Sequence, residues 1–85
     1  MDRTEIFKFI KVQIESQGGL THEMTEKSHL YNDLALDSLD AVELIMECEK
    51  EYHITVPDAT AEKLGTIAEV IDAVNKLIDE KSKIN

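Results

Sequence analysis

Residues 34–44 read LALDSLDAVEL, and along this stretch a loop becomes an acidic, amphipathic helix. Asp37 is a natural N-cap, and Asp40 lies in the first turn, where its charge complements the helix dipole. Farther along the stretch, four apolar or aromatic residues recur at a spacing that puts them on one inward face of the helix: Leu44, Ile45, Cys48 and Tyr52. The stretch therefore predicts a helix over Ser38–Tyr52, with Ser38 at its entrance.

Three further segments carry helical signals. The first runs over about residues 2–17, with isoleucines at every fourth position and a pair of glycines after it, as expected at a helix end. A short third helix is expected over about Asp58–Lys63, because Pro57 bars a helix at the preceding residue. The fourth follows the capping pair Thr66 and Glu69 and carries a clean apolar stripe.

The arrangement of these segments predicts the fold class. A long loop, from about Leu20 to Leu36, separates the first helix from the second, and loops of this length are uncommon unless functional or locally ordered. No segment has the alternation of a β-strand. We therefore predict an all-α fold, a small four-helix bundle of three longer helices and one short helix. The 85 residues make one domain, 1–85.

The chain has 18 acidic residues against 9 basic ones and a formal net charge of −9. This charge argues against nucleic acid and anionic membranes, which attract clustered Lys and Arg, and it favours basic protein partners. The single cysteine, Cys48, excludes an intramolecular disulfide. No apolar run approaches the length of a membrane span. We expect a monomeric, cytoplasmic protein with no stable membrane insertion, and import into an organelle stays open.

Ser38 has three candidate roles. As a catalytic nucleophile it would need a histidine base, but the histidines are scattered and the G-x-S-x-G pattern is absent, so we predict no catalytic residue. As a structural residue it would only help to cap the helix. As a modified residue it would place a phosphate ester at the positive end of the helix dipole, although Asp37 and Asp40 would repel that anion. Local physics leaves the last two roles open.

A family resemblance distinguishes between them. Most of the chain resembles the acyl carrier proteins of type II fatty acid synthesis, most weakly over the first 30 residues. The likeness is carried by four segments, at residues 33–44, 49–52, 54–58 and 61–64. Asp-Ser-Leu alone is a weak signal. With the Asp-Leu lead-in, the Val-Glu-Leu continuation, the downstream Pro-Asp, the length and the acidity, it becomes a specific one.

The resemblance implies a carrier and not an enzyme. In this family the serine of Asp-Ser-Leu, here Ser38, carries 4′-phosphopantetheine in a phosphodiester, with Asp37 and Leu39 beside it. A phosphopantetheinyl transferase installs the group from coenzyme A. Its thiol holds acyl groups as thioesters, which the carrier shuttles between enzymes of fatty acid biosynthesis.

The resemblance also implies two surfaces. The acidic second helix would dock on basic patches of acyl transferases, ketosynthases, reductases and dehydratases. The residues assigned to this docking are Asp37, Leu39, Asp40, Val42, Glu43, Met46, Glu47 and Glu49. Because the acyl chain can slip between the helices in this family, we also expect an apolar pocket. Its predicted lining, chosen for inward spacing, is Ile45, Cys48, Val56, Leu64 and Ile67.

Two positions depart from the family pattern, and three other functions stay open. Ala35 stands where the family usually has glycine, and His53 stands where acidic residues are common. A specialised carrier of polyketide, lipid or aminoacyl groups would share the mechanism. An acidic helical adaptor would leave its serine unmodified. A calcium-binding module is disfavoured, because the acidic residues lack the D-x-D-x-D-G spacing, so we predict no metal site.

Overall fold

The computed structural model describes residues 1–83 and consists of helices joined by loops. The four helices are α1 (Arg3–Ser16), α2 (Ser38–Tyr52), α3 (Asp58–Ala61) and α4 (Ile67–Lys83). Within the described residues the only β pairing is an isolated bridge. The predicted all-α bundle, with three longer helices and one short helix, is confirmed.

The helix bounds follow from local hydrogen bonds. The N-cap of α2 is a complete capping box, in which the Asp40 N–H donates to Asp37 Oδ1 at 2.8 Å and the Asp37 N–H donates to Asp40 Oδ2 at 3.4 Å. Helix α3 is two residues shorter than predicted. The N–H groups of Lys63 and Leu64 donate three residues back, which tightens the chain into turns and ends the α-helix.

The core lies where α1, α2 and α4 pack against one another. Each of these helices contributes an apolar stripe at helical spacing, as the sequence predicts. The fully buried side chains of the core include Ile6, Ile10, Ile14, Leu44, Val70 and Ile71. The short helix α3 contributes no buried residue. It lies outside this core, and its position leaves room for a groove beside α2.

The long loop before α2 is tied to the start of α4. The N–H groups of Ile67 and Ala68 donate to carbonyls of Ser28 and Glu26, at 3.0 and 2.8 Å, so the loop satisfies donors that a helix start leaves free. Arg3 adds ion pairs to Glu26 and to Asp72 of α4. The loop is therefore an ordered part of the bundle, and it delivers the chain to Ser38 from a fixed direction.

Candidate functional site

Ser38 is the first residue of α2, and its side chain is exposed. Among the described residues, no hydrogen bond engages its hydroxyl, and no acceptor meets the N–H groups of Ser38 and Leu39. Free N–H groups at a helix N-terminus attract an anion. The hydroxyl is therefore open to a modifying enzyme, and a phosphodiester on it would lie beside free donors.

The capping box limits the repulsion that neighbouring acids exert there. Asp37 and Asp40 each accept a hydrogen bond from a backbone N–H with one carboxylate oxygen. Both carboxylates are thus held by the helix start and partly compensated by its dipole. No histidine bonds Ser38 within residues 1–83. The hydrogen bonds of the capping box therefore fix the start of α2, and none of them activates the serine as a nucleophile.

A groove of about 460 Å³ opens beside Ser38, between α2, α3 and the segment that joins them. Its apolar lining comes from α2, from the long loop and from the chain around α3: Leu30, Ala41, Ile45, Val56, Ala61 and Leu64. The groove is concave, largely apolar and continuous with an exposed hydroxyl. Those properties suit a flexible apolar group that is attached to the serine.

The structure separates the residues that the sequence assigns to the acyl pocket. Ile45, Val56 and Leu64 line the groove. Cys48 and Ile67 are fully buried in the core and are not among the lining residues. Inward spacing on a helix does not distinguish a side chain in a packed core from one at the edge of a cavity.

Burial decides the chemistry of the Cys48 thiol. Desolvation, with smaller contributions from the charges of Glu47 and Glu49, raises its pKa to about 12. The thiolate is the reactive form of cysteine, so the neutral side chain behaves as a small apolar group. Cys48 therefore supports the packing of α2 against the core.

The outer face of α2 carries an unpartnered apolar row. Leu39, Val42 and Met46 are 64%, 54% and 48% exposed, and Glu43 beside them is exposed as well. Large apolar side chains that share an exposed face suggest a contact surface. Val42 and Met46 also reach the groove, so the groove and the outer face of α2 meet along one edge.

The other acids assigned to docking have intramolecular partners. Glu47 pairs with Lys50 at 3.6 Å on the helix surface. Glu49 is half-buried, lines the groove and accepts a hydrogen bond from the Val56 N–H at 2.8 Å. The two acids therefore differ in setting, although both lie in the same acidic run of sequence.

Sequence reasoning gave no site role to six of the groove residues: Leu30, Tyr31, Ala41, Asp58, Ala61 and Glu62. Tyr31, Asp58 and Glu62 line the groove with the apolar side chains. Tyr31 comes from the long loop, Asp58 from α3 and Glu62 from its C-cap, and nothing in their local pattern places them beside α2. For Glu49, which also lines the groove, a signal did exist: its i, i+4 spacing from Ile45 places both residues on the same side of α2.

The backbone before Ser38 has an unusual conformation. Ala35 has a φ of 60°, in the left-handed region that glycine adopts without a steric penalty. The next residue donates its N–H to the carbonyl of Leu30 at 3.0 Å. The turn at Ala35 thus leads the chain from the loop into the N-cap of α2.

Two further properties concern the described residues as a set. None of the helices among residues 1–83 is both long enough and apolar enough to cross a membrane. The same residues contain no group of three or more His, Cys, Asp or Glu side chains that could hold a metal ion.

The chain is similar to known proteins over most of its length. A family model described as the phosphopantetheine attachment site matches residues 10–74, which include Ser38. The crystal structure of an acyl carrier protein from Thermotoga maritima superposes with a TM-score of 0.79 at 28% sequence identity, and the match covers 94% of each chain. The likeness therefore extends to the whole bundle as well as to the segment around the serine.

Proposed function

Because the chain belongs to the phosphopantetheine-binding family of acyl carrier proteins, we propose that it carries acyl intermediates of fatty acid biosynthesis, with Ser38 as its attachment residue. Members of this family are carriers and not catalysts. When bound, 4′-phosphopantetheine supplies a terminal thiol that holds acyl groups as thioesters. Residues 1–85 are proposed to be a single carrier domain.

The observation that carries the proposal is the exposed Ser38 hydroxyl at the mouth of an apolar groove. The free N–H groups of Ser38 and Leu39 would favour the phosphodiester anion, since they lie at the positive end of the helix dipole. Asp37 holds this end of α2 in place through the capping box. Each of these groups serves attachment, and none supplies a base or an acid to a reaction.

The groove supports the choice of an acyl cargo. Each methylene group that leaves water for an apolar lining gains about 0.8 kcal/mol, so a chain of several carbons would favour the groove over solvent. Ile45, Val56 and Leu64 are proposed to contact this chain. Cys48 and Ile67, which lie in the core, are proposed to support the lining from behind.

The outer face of α2 supports docking on partner enzymes. We propose that Leu39, Val42 and Met46 make the apolar contacts, while Asp37, Asp40, Glu43 and Glu47 steer basic patches towards them. The transferase that installs the arm, and the acyl transferases, ketosynthases, reductases and dehydratases, are the proposed partners. Steering by exposed charges gives brief, salt-sensitive encounters. A cytoplasmic location and a monomeric state stay predictions.

The test is covalent loading by a broad-specificity phosphopantetheinyl transferase with coenzyme A, followed by intact-mass analysis. The wild-type chain should gain the mass of one phosphopantetheine. Ser38→Ala should gain nothing and keep its fold, while Ser16→Ala, which removes an exposed serine at the end of α1, should load normally. An unmodified wild-type chain, or a loaded Ser38→Ala variant, would refute the assignment.

A specialised carrier is the second candidate, because three acids line the groove beside its apolar residues: Glu49, Asp58 and Glu62. Polar or amine-bearing cargo, such as polyketide, lipid-precursor or aminoacyl groups, would tolerate such a rim better than a plain alkyl chain does. The mass of the loaded protein isolated from its own cells decides between the two. A saturated acyl group supports the first candidate, and an aminoacyl or polyketide group supports the second.

A further inference from the structure

The segment that joins α2 to α3 is held by one residue of α2, Glu49. The backbone carbonyl of Glu49 accepts hydrogen bonds from the N–H of His53 and, at 3.1 Å, from the N–H of Ile54. Its side-chain Oε2 accepts a third from the N–H of Val56, at 2.8 Å. Glu49 therefore satisfies three of the four backbone donors of residues 53–56.

The same segment forms one wall of the groove. Val56 is buried and lines the groove, as do Ile45 of α2 and Leu64. Within residues 1–83, the only hydrogen bond between Val56 and α2 is the one to the Glu49 carboxylate, since the other two bonds to Glu49 come from His53 and Ile54. The position of the wall relative to α2 thus depends on this side chain.

The hydrogen bond from the Val56 N–H to the Glu49 carboxylate is a strong one. Within residues 1–83, Glu49 has no ion-pair partner, so its charge is directed to the N–H of Val56 alone. Hydrogen bonds to an ionised carboxylate are roughly twice as strong as neutral ones. Glu49 is also half-buried, where water competes less for the carboxylate than it does on an open surface.

From this geometry we infer that Glu49 is a positioning residue for the cargo, because its side chain fixes Val56 and so sets how well the groove shelters an acyl chain. The inference rests on the proposed function. It gives Glu49 a role other than the docking role that the acidic pattern predicts. Without the bond, the segment around Val56 keeps its apolar contacts, but it is free to move away from α2, and water can then enter the groove.

Three variants isolate this contact. Glu49→Ala removes both the charge and the acceptor. Glu49→Gln removes the charge and keeps an oxygen that can accept from the Val56 N–H. The matched control is Glu51→Ala, which removes an exposed acid of the same helix that makes no ion pair among residues 1–83.

The first measurement is amide hydrogen exchange at Val56 in the protein without its arm. The Val56 N–H should exchange more slowly than that of Thr55, which has no acceptor among the described residues. Glu49→Ala should speed exchange at Val56 about tenfold, equivalent to about 1.4 kcal/mol. Glu49→Gln, whose neutral oxygen accepts a weaker hydrogen bond, should speed exchange less than Glu49→Ala does, and Glu51→Ala should stay close to the wild type.

The second measurement uses protein loaded with an acetyl or an octanoyl group and follows cleavage of each thioester by hydroxylamine. In the wild type the octanoyl form should react more slowly than the acetyl form, because the longer chain reaches the groove. Glu49→Ala should reduce the ratio of the acetyl to the octanoyl cleavage rate about tenfold. Glu49→Gln should reduce the ratio less than Glu49→Ala does, because it keeps an acceptor for the Val56 N–H, and Glu51→Ala should preserve the ratio.

Several results would overturn the inference. These are an unprotected Val56 N–H in the wild type, unchanged ratios in Glu49→Ala, or a Glu49→Gln variant as impaired as Glu49→Ala. An equal effect of Glu51→Ala would do the same. If Glu49→Ala does not fold, the comparison of Val56 with Thr55 and the Glu49→Gln variant still decide. A chain that takes no arm refutes the proposed function, whereas the exchange experiment needs no arm and tests Glu49 separately.

Discussion

Ala35 holds a left-handed backbone conformation, with a φ of 60°, three residues before Ser38. In this conformation the Cβ atom lies too close to the following carbonyl oxygen, which costs an alanine about 1–2 kcal/mol. Glycine has no Cβ and pays no such cost. Ala35→Gly should therefore relieve strain in the turn that leads into the capping box of α2.

The size of the effect is a difference between two free energies. Relief of the left-handed conformation returns about 1.5 kcal/mol, while the greater freedom of glycine in the unfolded chain costs about 0.7 kcal/mol. Ala35 is exposed, so its methyl group contributes little burial. The net gain in the free energy of unfolding is about 0.8 kcal/mol, which raises the Tm of a domain of this size by about 3–6 °C.

Thermal and urea unfolding of the unloaded protein, followed by circular dichroism, measure this gain. The matched control is Ala73→Gly within α4, where the same chemical change should destabilise the protein by about 1 kcal/mol. Ala35→Val supplies the opposite test at the same site, because a β-branched residue fits the left-handed region worst. If Ala35→Gly lowers stability as much as Ala73→Gly does, the left-handed assignment of Ala35 is wrong.

Three further predictions concern titration and packing. Cys48→Ser should destabilise the protein by about 1–3 kcal/mol in urea unfolding, because it buries a hydroxyl without a partner; an unchanged midpoint contradicts this. Burial raises the pKa of the Cys48 thiol from 9.0 to about 12. The contribution of Cys48 to the free energy of unfolding should therefore be full below pH 9 and fall as the pH rises from 9 to 12. In the unloaded native protein the Cys48 thiol should resist thiol reagents at pH 8. The Glu69 pKa is lowered by backbone hydrogen bonds from Thr66 and Gly65, so Glu69→Ala should lower the Tm at pH 7 but not well below the ordinary pKa of glutamate; an equal loss at both pH values would contradict the cap.

The helices could be predicted because their signals are local. Caps such as Asp37 and Thr66 act within one turn, and the apolar stripes repeat at the helical period whatever they pack against. Helix α2 accordingly has the predicted bounds, Ser38–Tyr52. The short helix α3 was predicted to end at Lys63, and it ends earlier because two tighter turns follow it.

Local sequence signals were enough to predict the all-α class, the start of α2 and the position of Ser38 at that start, because each depends on residues close together in the chain. The packed bundle was needed to show that Cys48 and Ile67 lie in the core while Ile45, Val56 and Leu64 line a groove. It alone paired Glu49 with Val56, since that contact depends on how the segment after α2 folds back. Inward spacing is a property of one helix, whereas a cavity exists only between elements that have already packed.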